Sequence, residues 1–216
     1  NLASVVQVNA DAGFSIVKYT GSGGNGQSVN HGLGLTPEVV ITKARNGAGD
    51  WYMYHKSIGT ANFLKLNTTA AQAGSSPYNA ADPTSTAFFV SNHLIYVGEL
   101  GADFVSYCFA PIQGYSKFGS YVGNGNASGP FVYTGFKPAF VMIKVTSAVE
   151  SWTMFDGARK PFNRDDNVAS IYANTSGAEY TGASYHNIDI LSNGFKVRLT
   201  NTAVNASGAS YIYMAF

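Results

Sequence analysis

One half of this sequence copies the other. Gly13-Phe14-Ser15 returns as Gly114-Tyr115-Ser116, and Tyr19-Thr20-Gly21-Ser22-Gly23 returns as Tyr121-Val122-Gly123-Asn124-Gly125. Gly34, Pro37, Val40, Lys43, Trp51 and Met53 reappear 101 places later as Gly135, Pro138, Val141, Lys144, Trp152 and Met154. Further along the offset becomes 107, where Phe88, Val90, Gly101, Ala102 and Phe109 match Phe195, Val197, Gly208, Ala209 and Phe216. Order is kept and spacing drifts little, so the chain holds two tandem units, 13–110 and 114–216. Pro111-Ile112-Gln113 joins them, and residues 1–12 form a lead-in ahead of the repeat.

Each unit has the length of a small sandwich and the pattern of strands. The first predicts strands at Phe14–Thr20, Glu38–Ala44, Trp51–Ser57, Asn62–Asn67, Ala87–Ser91 and Asp103–Ala110. The second predicts Ser116–Val122, Phe131–Thr134, Ala139–Thr146, Ser151–Asp156, Asn187–Leu191, Phe195–Thr200 and Ser210–Phe216. Gly, Asn, Pro and Ser clusters separate these runs. Helical periodicity is absent over any useful length, although 158–173 leaves room for a short helix. The expected fold is all-β, two tandem repeated sandwich-like halves. The short join, without linker composition, predicts that the halves pack together.

Composition narrows the function classes. Only 12% of residues are charged, against the usual roughly 25%. Net charge is +1 and the basic residues stand singly, which argues against a nucleic-acid partner. No apolar run is long enough for a membrane helix, so no membrane insertion is expected. Cys108 is the lone cysteine and can form neither an internal disulfide nor a Cys-based metal site.

The duplication also sorts residues by role. Positions filled alike in both halves most simply serve the shared architecture. Trp51, Met53, Trp152 and Met154 are therefore expected in the core. Lys43 and Lys144 are expected at solvated strand ends. Positions that differ are freer for function, and His55 and Asp156 are such a pair at a strand end. Each either contacts a ligand at the sheet rim or caps the core by hydrogen bonding. Tyrosines supply flat amphipathic faces suited to sugars and protein interfaces. The candidate ligand-binding set is Tyr52, Tyr54, His55, Tyr78, Asp156, Tyr172 and Tyr180. The long segments Thr68–Thr86 and Pro161–Ser184 are the expected places for function.

Catalysis finds little footing. The acids form no E-x-D-x-E pattern along one strand face, and no G-x-S-x-G nucleophile turn occurs. The expectation is a protein that is not an enzyme. No cofactor is expected; the one weak calcium prospect is Asn163-Arg164-Asp165-Asp166-Asn167, where Asp165 and Asp166 bunch oxygen ligands. An Asp- and Asn-rich turn accounts for it more simply. The four histidines lack zinc-ligand spacing. Gly21-Ser22-Gly23-Gly24-Asn25-Gly26 is no phosphate loop, since no Gly-Lys-Ser/Thr follows, and is expected to be a hairpin loop.

Longer runs carry a resemblance. Gly114-Tyr115-Ser116-Lys117-Phe118-Gly119-Ser120-Tyr121-Val122-Gly123-Asn124-Gly125 is followed by Gly129-Pro130-Phe131-Val132-Tyr133-Thr134-Gly135-Phe136-Lys137-Pro138-Ala139-Phe140-Val141-Met142-Ile143-Lys144. His31-Gly32-Leu33-Gly34-Leu35-Thr36-Pro37, Tyr54-His55-Lys56-Ser57, Leu191-Ser192-Asn193-Gly194-Phe195-Lys196-Val197 and Asn205-Ala206-Ser207-Gly208 extend the pattern over nearly all of 13–216. It resembles a duplicated β-rich domain of tailed-bacteriophage virion proteins, often associated with tail fibres. The resemblance implies a virion surface protein, either a tail-fibre or receptor-binding module or a capsid or tail decoration. It supplies no catalytic residues. The partners it implies are other virion proteins, a host surface glycan or receptor, and further copies of the chain, a homotrimer by analogy with phage fibres. Adhesion to host glycan is the leading expectation, structural decoration the second, and polysaccharide hydrolysis the third.

Overall fold

Alternating apolar residues between Gly-, Asn- and Pro-rich turns set the strands, and long-range pairing sets everything else. The computed structural model describes residues 1–78, 80–91, 97–159, 163, 169–181 and 187–216. Two compact units emerge, Asn1–Leu66 with Gln72–Ile112, and Gln113–Phe216 with Asn67–Ala71.

The first unit contains β1 (Ser4–Asn9), β2 (Phe14–Thr20), β3 (Gln27–Asn30), β4 (Val39–Ala44), β5 (Tyr52–His55), β6 (Asn62–Lys65), β7 (Ala73–Gly74), β8 (Ala87–Val90) and β9 (Asp103–Phe109). The second contains β10 (Lys117–Val122), β11 (Ser128–Tyr133), β12 (Phe140–Val145), β13 (Thr153–Asp156), β14 (Ala169–Tyr172), β15 (Tyr180–Thr181), β16 (Asn187–Leu191), β17 (Gly194–Arg198) and β18 (Ser210–Ala215). A single helical turn, Thr202–Asn205, precedes β18. The predicted strand Trp51–Ser57 ends early because Lys56–Ile58 closes into a 3-10 turn capped by His55. Where 158–173 left room for a helix, the described residues include strand β14 instead. The lead-in supplies β1, which pairs with β2 from Ser4↔Tyr19 to Asn9↔Phe14.

The two large sheets share one order. The first runs β1-β2-β9-β4-β5-β6-β7, the second β10-β18-β12-β13-β14-β15. Apart from β1, each strand of one has its repeat-equivalent at the same place in the other. A smaller sheet completes each unit, β3-β8 in the first and β11-β17-β16 in the second. Alternate side chains of large and small sheet meet in one core per unit, which makes each a sandwich. In the first, Val17, Tyr19, Val40, Phe104 and Cys108 pack with Val29, Phe88 and Val90. In the second, Val141, Ile143, Tyr211 and Tyr213 pack with Val132, Ile188, Phe195 and Val197. A fully buried side chain of the size of Phe88 contributes on the order of 2 kcal/mol by leaving water.

The repeated Tyr-x-Gly-x-Gly run has one architectural job in both units. Tyr19 Oη donates to Val97 O at 2.7 Å, and Tyr121 Oη donates to Val204 O at 2.7 Å. The Gly21 N–H reaches Ala102 O and the Gly23 N–H reaches Gly98 O; Gly123 and Gly125 reach Ala209 O and Asn205 O in the same way. A Cβ on Gly21 would stand 2.2 Å from Glu99 O, and one on Gly123 2.2 Å from Ala206 O, so only glycine admits this approach. The expected hairpin loop at 21–26 is therefore corrected. β2 and β3 lie in different sheets, and the glycine run is the crossing between them, clasped to the segment ahead of β9.

Two further expectations are revised. Lys144 is not a solvated strand end. It is fully buried, and its Nζ donates to Val145 O at 2.9 Å, Ala148 O at 3.2 Å and Thr69 O at 3.4 Å. Lys43 makes the same loop-closing pair with Ala44 O and Gly47 O. The tryptophans are unequal: Trp152 is 1% exposed, whereas Trp51 is half-buried and stacks on Tyr107 at 6.1 Å. Thr69, in the segment Asn67–Ala71 that packs with the second unit, also accepts from the Glu150 N–H at 2.9 Å.

Candidate ligand-binding site

The seven predicted contact residues separate by unit. In the first unit Tyr52, Tyr54, His55 and Tyr78 are all buried, with exposures of 4%, 4%, 0% and 2%, so none offers a surface to a ligand. β5 is an inner strand, and Tyr52 and Tyr54 point from it into the core. Tyr78 covers them, packing on Tyr54 at 6.1 Å and donating from Oη to Tyr52 O at 3.1 Å. Burial pushes the Tyr54 hydroxyl up to about 12 and lifts Tyr78 well above the ordinary tyrosine range. His55 Nδ1 accepts the Ser57 N–H at 3.1 Å and caps the 3-10 turn. These four are scaffold.

In the second unit Tyr172 and Tyr180 come from adjacent strands and share the face of Thr153 and Ser170, whereas Asp156, three places along β13 from Thr153, points to the opposite face; all three are partly exposed. The Tyr172 and Tyr180 rings meet at 4.8 Å, tilted by 47°. Asp156 occupies the repeat position of His55 and keeps its capping duty, accepting from the N–H of Ala158 at 3.0 Å and of Arg159 at 2.8 Å. It also binds the Arg159 guanidinium at 2.5 Å, and Glu179 stands 3.8 Å from the same group. Partial burial pulls the Asp156 carboxyl upward, but the hydrogen bonds and charge of Arg159 and the Ala158 amide outweigh it and hold the group below its ordinary value.

Sequence reasoning missed two members of this corner. Register makes Thr153 the equivalent of Tyr52, and Ser170 the equivalent of Phe63. Tyr172 then answers to Lys65, and Tyr180 to Ala73. The first unit carries aromatics inside and small or charged groups at the rim; the second reverses this. Thr153 Oγ1 and Ser170 Oγ are fully buried and have no hydrogen-bond partner among the described residues. An unsatisfied buried hydroxyl costs roughly 1–3 kcal/mol, and Ser15 Oγ in the first unit carries the same cost, so these hydroxyls mark loosened packing under the corner rather than a contact with a ligand. The signal was present in the sequence as aromatic-to-hydroxyl exchanges between equivalent positions.

Other prospects are weaker. A shallow cleft of about 360 Å³ in the first unit is lined by Ser28, Asn30, Thr84, Thr86 and Phe89, but its hydroxyls already bond, Ser28 to Asn1 and Thr84 to Thr86. Among the described residues no group of three or more His, Cys, Asp or Glu could hold a metal ion, and no helix is long and apolar enough to cross a membrane. Asp165 and Asp166, the calcium prospect, lie outside the described residues.

Comparison with known proteins returns one family. Residues 1–216 match the domain of unknown function DUF7483, and the chain belongs to that family. No curated protein and no solved structure matches it.

Proposed function

We propose that this DUF7483 domain is a non-catalytic adhesion module of a phage virion, a tail-fibre or receptor-binding element that holds host-surface glycan at the β13–β15 corner of its second unit. The observation that carries the reading is the reversed corner, with the partly exposed Tyr172–Tyr180 pair at the rim over small buried residues, Thr153 and Ser170, that offer no surface of their own to a ligand. Sugars present alternating apolar C–H faces and hydroxyl edges. Tyrosine rings suit the first and their phenolic hydroxyls the second. The low charge of the chain favours a neutral ligand over an acidic one. Asp156 and Glu179 flank one arginine, and Asp156 is held ionised. That group lies on the sheet face opposite the tyrosine pair, and its lowered Asp156 carboxyl is the reverse of the raised one that proton transfer asks for. Attachment through several copies on one particle makes a weak single site sufficient.

A glycan array probed with the folded chain, including surface polysaccharides of susceptible hosts, tests this. Tyr180→Ala should weaken binding about tenfold or more, equivalent to at least about 1.4 kcal/mol, with the thermal midpoint unchanged. Absence of binding to every host polysaccharide by folded protein would overturn the proposal.

A further inference from the structure

Two equivalent turns, one in each unit, are tied by side chains of different chemistry. Strand register sets Val29 opposite Phe88 and Val132 opposite Phe195, which makes His31 in the first unit the counterpart of Thr134 in the second. Backbone bonding agrees. The His31 N–H reaches Thr86 O at 3.3 Å and the Thr134 N–H reaches Asn193 O at 3.0 Å, and Thr86 and Asn193 stand 107 places apart, as the two phenylalanines do. Each side chain then accepts the N–H two residues on. Leu33 donates to His31 Nδ1 at 3.2 Å, and Phe136 donates to Thr134 Oγ1 at 3.4 Å.

His31 does more than its counterpart. Its ring is fully buried, and Nε2 lies 3.1 Å from Thr84 O. The Leu33 N–H can only donate, so Nδ1 is the bare nitrogen and Nε2 carries the proton that Thr84 O accepts. Both ring nitrogens are used, and only the neutral ring serves both partners. The ring thus clasps the turn leaving β3 to the turn entering β8, where Thr84 Oγ1 accepts the Ala87 N–H at 3.1 Å. Those two strands are the whole small sheet of the first unit, whereas the small sheet of the second unit has three. Leu33, held by the clasp, belongs to the core of the first unit.

We infer that His31 is an acid-operated clasp of the first unit: a second ring proton, placed on Nδ1, breaks the bond to Leu33 and loosens the β3–β8 end, while the second unit, closed by a threonine that does not titrate, stays shut. The segments packed around the ring bring no charge to steady an imidazolium. β1, whose Val6 and Val8 lie beside Gly32, has no charged residue, and neither has 84–87. Asp82, just ahead of that segment, accepts from Thr60 Oγ1 at 3.4 Å. Burial holds the imidazole below its ordinary value of 6.5, and the Thr84 carbonyl opposes this only in part. As pH falls through 6.5 the unfolded chain therefore takes up a proton that the folded ring refuses, and the first unit loses stability on the acid side.

Hydrogen exchange on the full chain tests it, with the second unit as the control in the same sample. From about pH 7 to about pH 5, amide exchange corrected for its intrinsic pH dependence should rise about tenfold or more at 31–33 and 84–87, and stay level at 134–136 and 193–195. His31→Thr, which installs the counterpart residue, and His31→Asn, whose Oδ1 keeps an acceptor for Leu33, should both abolish the rise. An equal rise in the two units overturns the inference. So does a rise that persists in the folded His31→Asn chain, because it then belongs to another group, His55 included. The unaltered chain gives an independent reading through its imidazole nitrogen shifts. At about pH 7 they should show His31 protonated at Nε2 alone, and protonation at Nδ1 instead overturns the clasp.

Discussion

The corner formed by β5, β6 and β7 and the corner formed by β13, β14 and β15 have the same strand order and register, and opposite side-chain volumes. In the first, Tyr52 packs on Phe63 at 5.7 Å, Tyr78 lies over Tyr54, and Lys65 leans over the Tyr52 ring toward Asp50. In the second, two small hydroxyls take the inner places and two tyrosines the outer ones. Backbone hydrogen bonding is maintained while side chains trade size, so the copies diverge in what they present without diverging in fold. The equivalent pair His55 and Asp156 makes the same point at smaller scale. Both cap the turn after their strand, but only the aspartate also gathers an arginine at the rim.

The sharpest way to break this comparison is to impose the second corner on the first. Tyr52→Thr with Phe63→Ser removes two buried aromatics from packed surroundings. Large-to-small changes of this kind cost roughly 3–5 kcal/mol each when the site cannot collapse, so urea denaturation should show most or all of the stability lost. A loss below about 1 kcal/mol would mean that the aromatic packing of the first corner is dispensable. The next effect is smaller and opposite in sign. Ser170→Ala removes a buried hydroxyl that has no partner among the described residues and should stabilise the fold by about 1 kcal/mol while leaving glycan binding unchanged. A destabilised Ser170→Ala variant would show that the hydroxyl is satisfied.

The smallest effect separates the two equivalent lysines. Lys43 is half-buried and Lys144 fully buried, and burial depresses the Lys144 ammonium to about 8, only partly opposed by the nearby Glu150 carboxylate. Between about pH 8 and its ordinary value of 10.5 the unfolded chain keeps a proton that the folded chain has released. Folding stability therefore rises with pH as it enters that window. Buried tyrosines such as Tyr54, raised in the fold, reverse the trend as pH passes 10, where unfolded tyrosines ionise first. Denaturation at pH 7.5 and 9.5 should show the rise, and Lys144→Met should flatten it. An equal rise in the variant would assign it to another group.

Much of the framework was legible in the residues. β2 and β16 fall end to end on predicted strands because apolar residues alternate or cluster there between clear turn formers. β3 was not legible, since Gln27-Ser28-Val29-Asn30 offers one apolar residue, and its partner β8 lies some sixty positions away. Pairing at that distance is decided by the whole core, which is also why a hairpin was expected at Gly21–Gly26. The tyrosines show the other limit. A tyrosine buried with its hydroxyl on a carbonyl, as Tyr78 is on Tyr52, has the same local sequence signal as one at a rim. What separates Tyr52 and Tyr54 from Tyr172 and Tyr180 is the cover that later segments bring, and that is a property of tertiary packing.

The short stretch Asn67–Ala71 changes how this gene can be cut. Repetition ends at one place and the folded body at another, because five residues encoded in the first copy complete the second. An expression plasmid that starts at residue 113 would leave the Glu150 amide and the Lys144 ammonium without the Thr69 carbonyl they share. Fragments of this protein are therefore best designed by spatial neighbourhood, with residues 67–71 kept in any piece meant to carry the second unit.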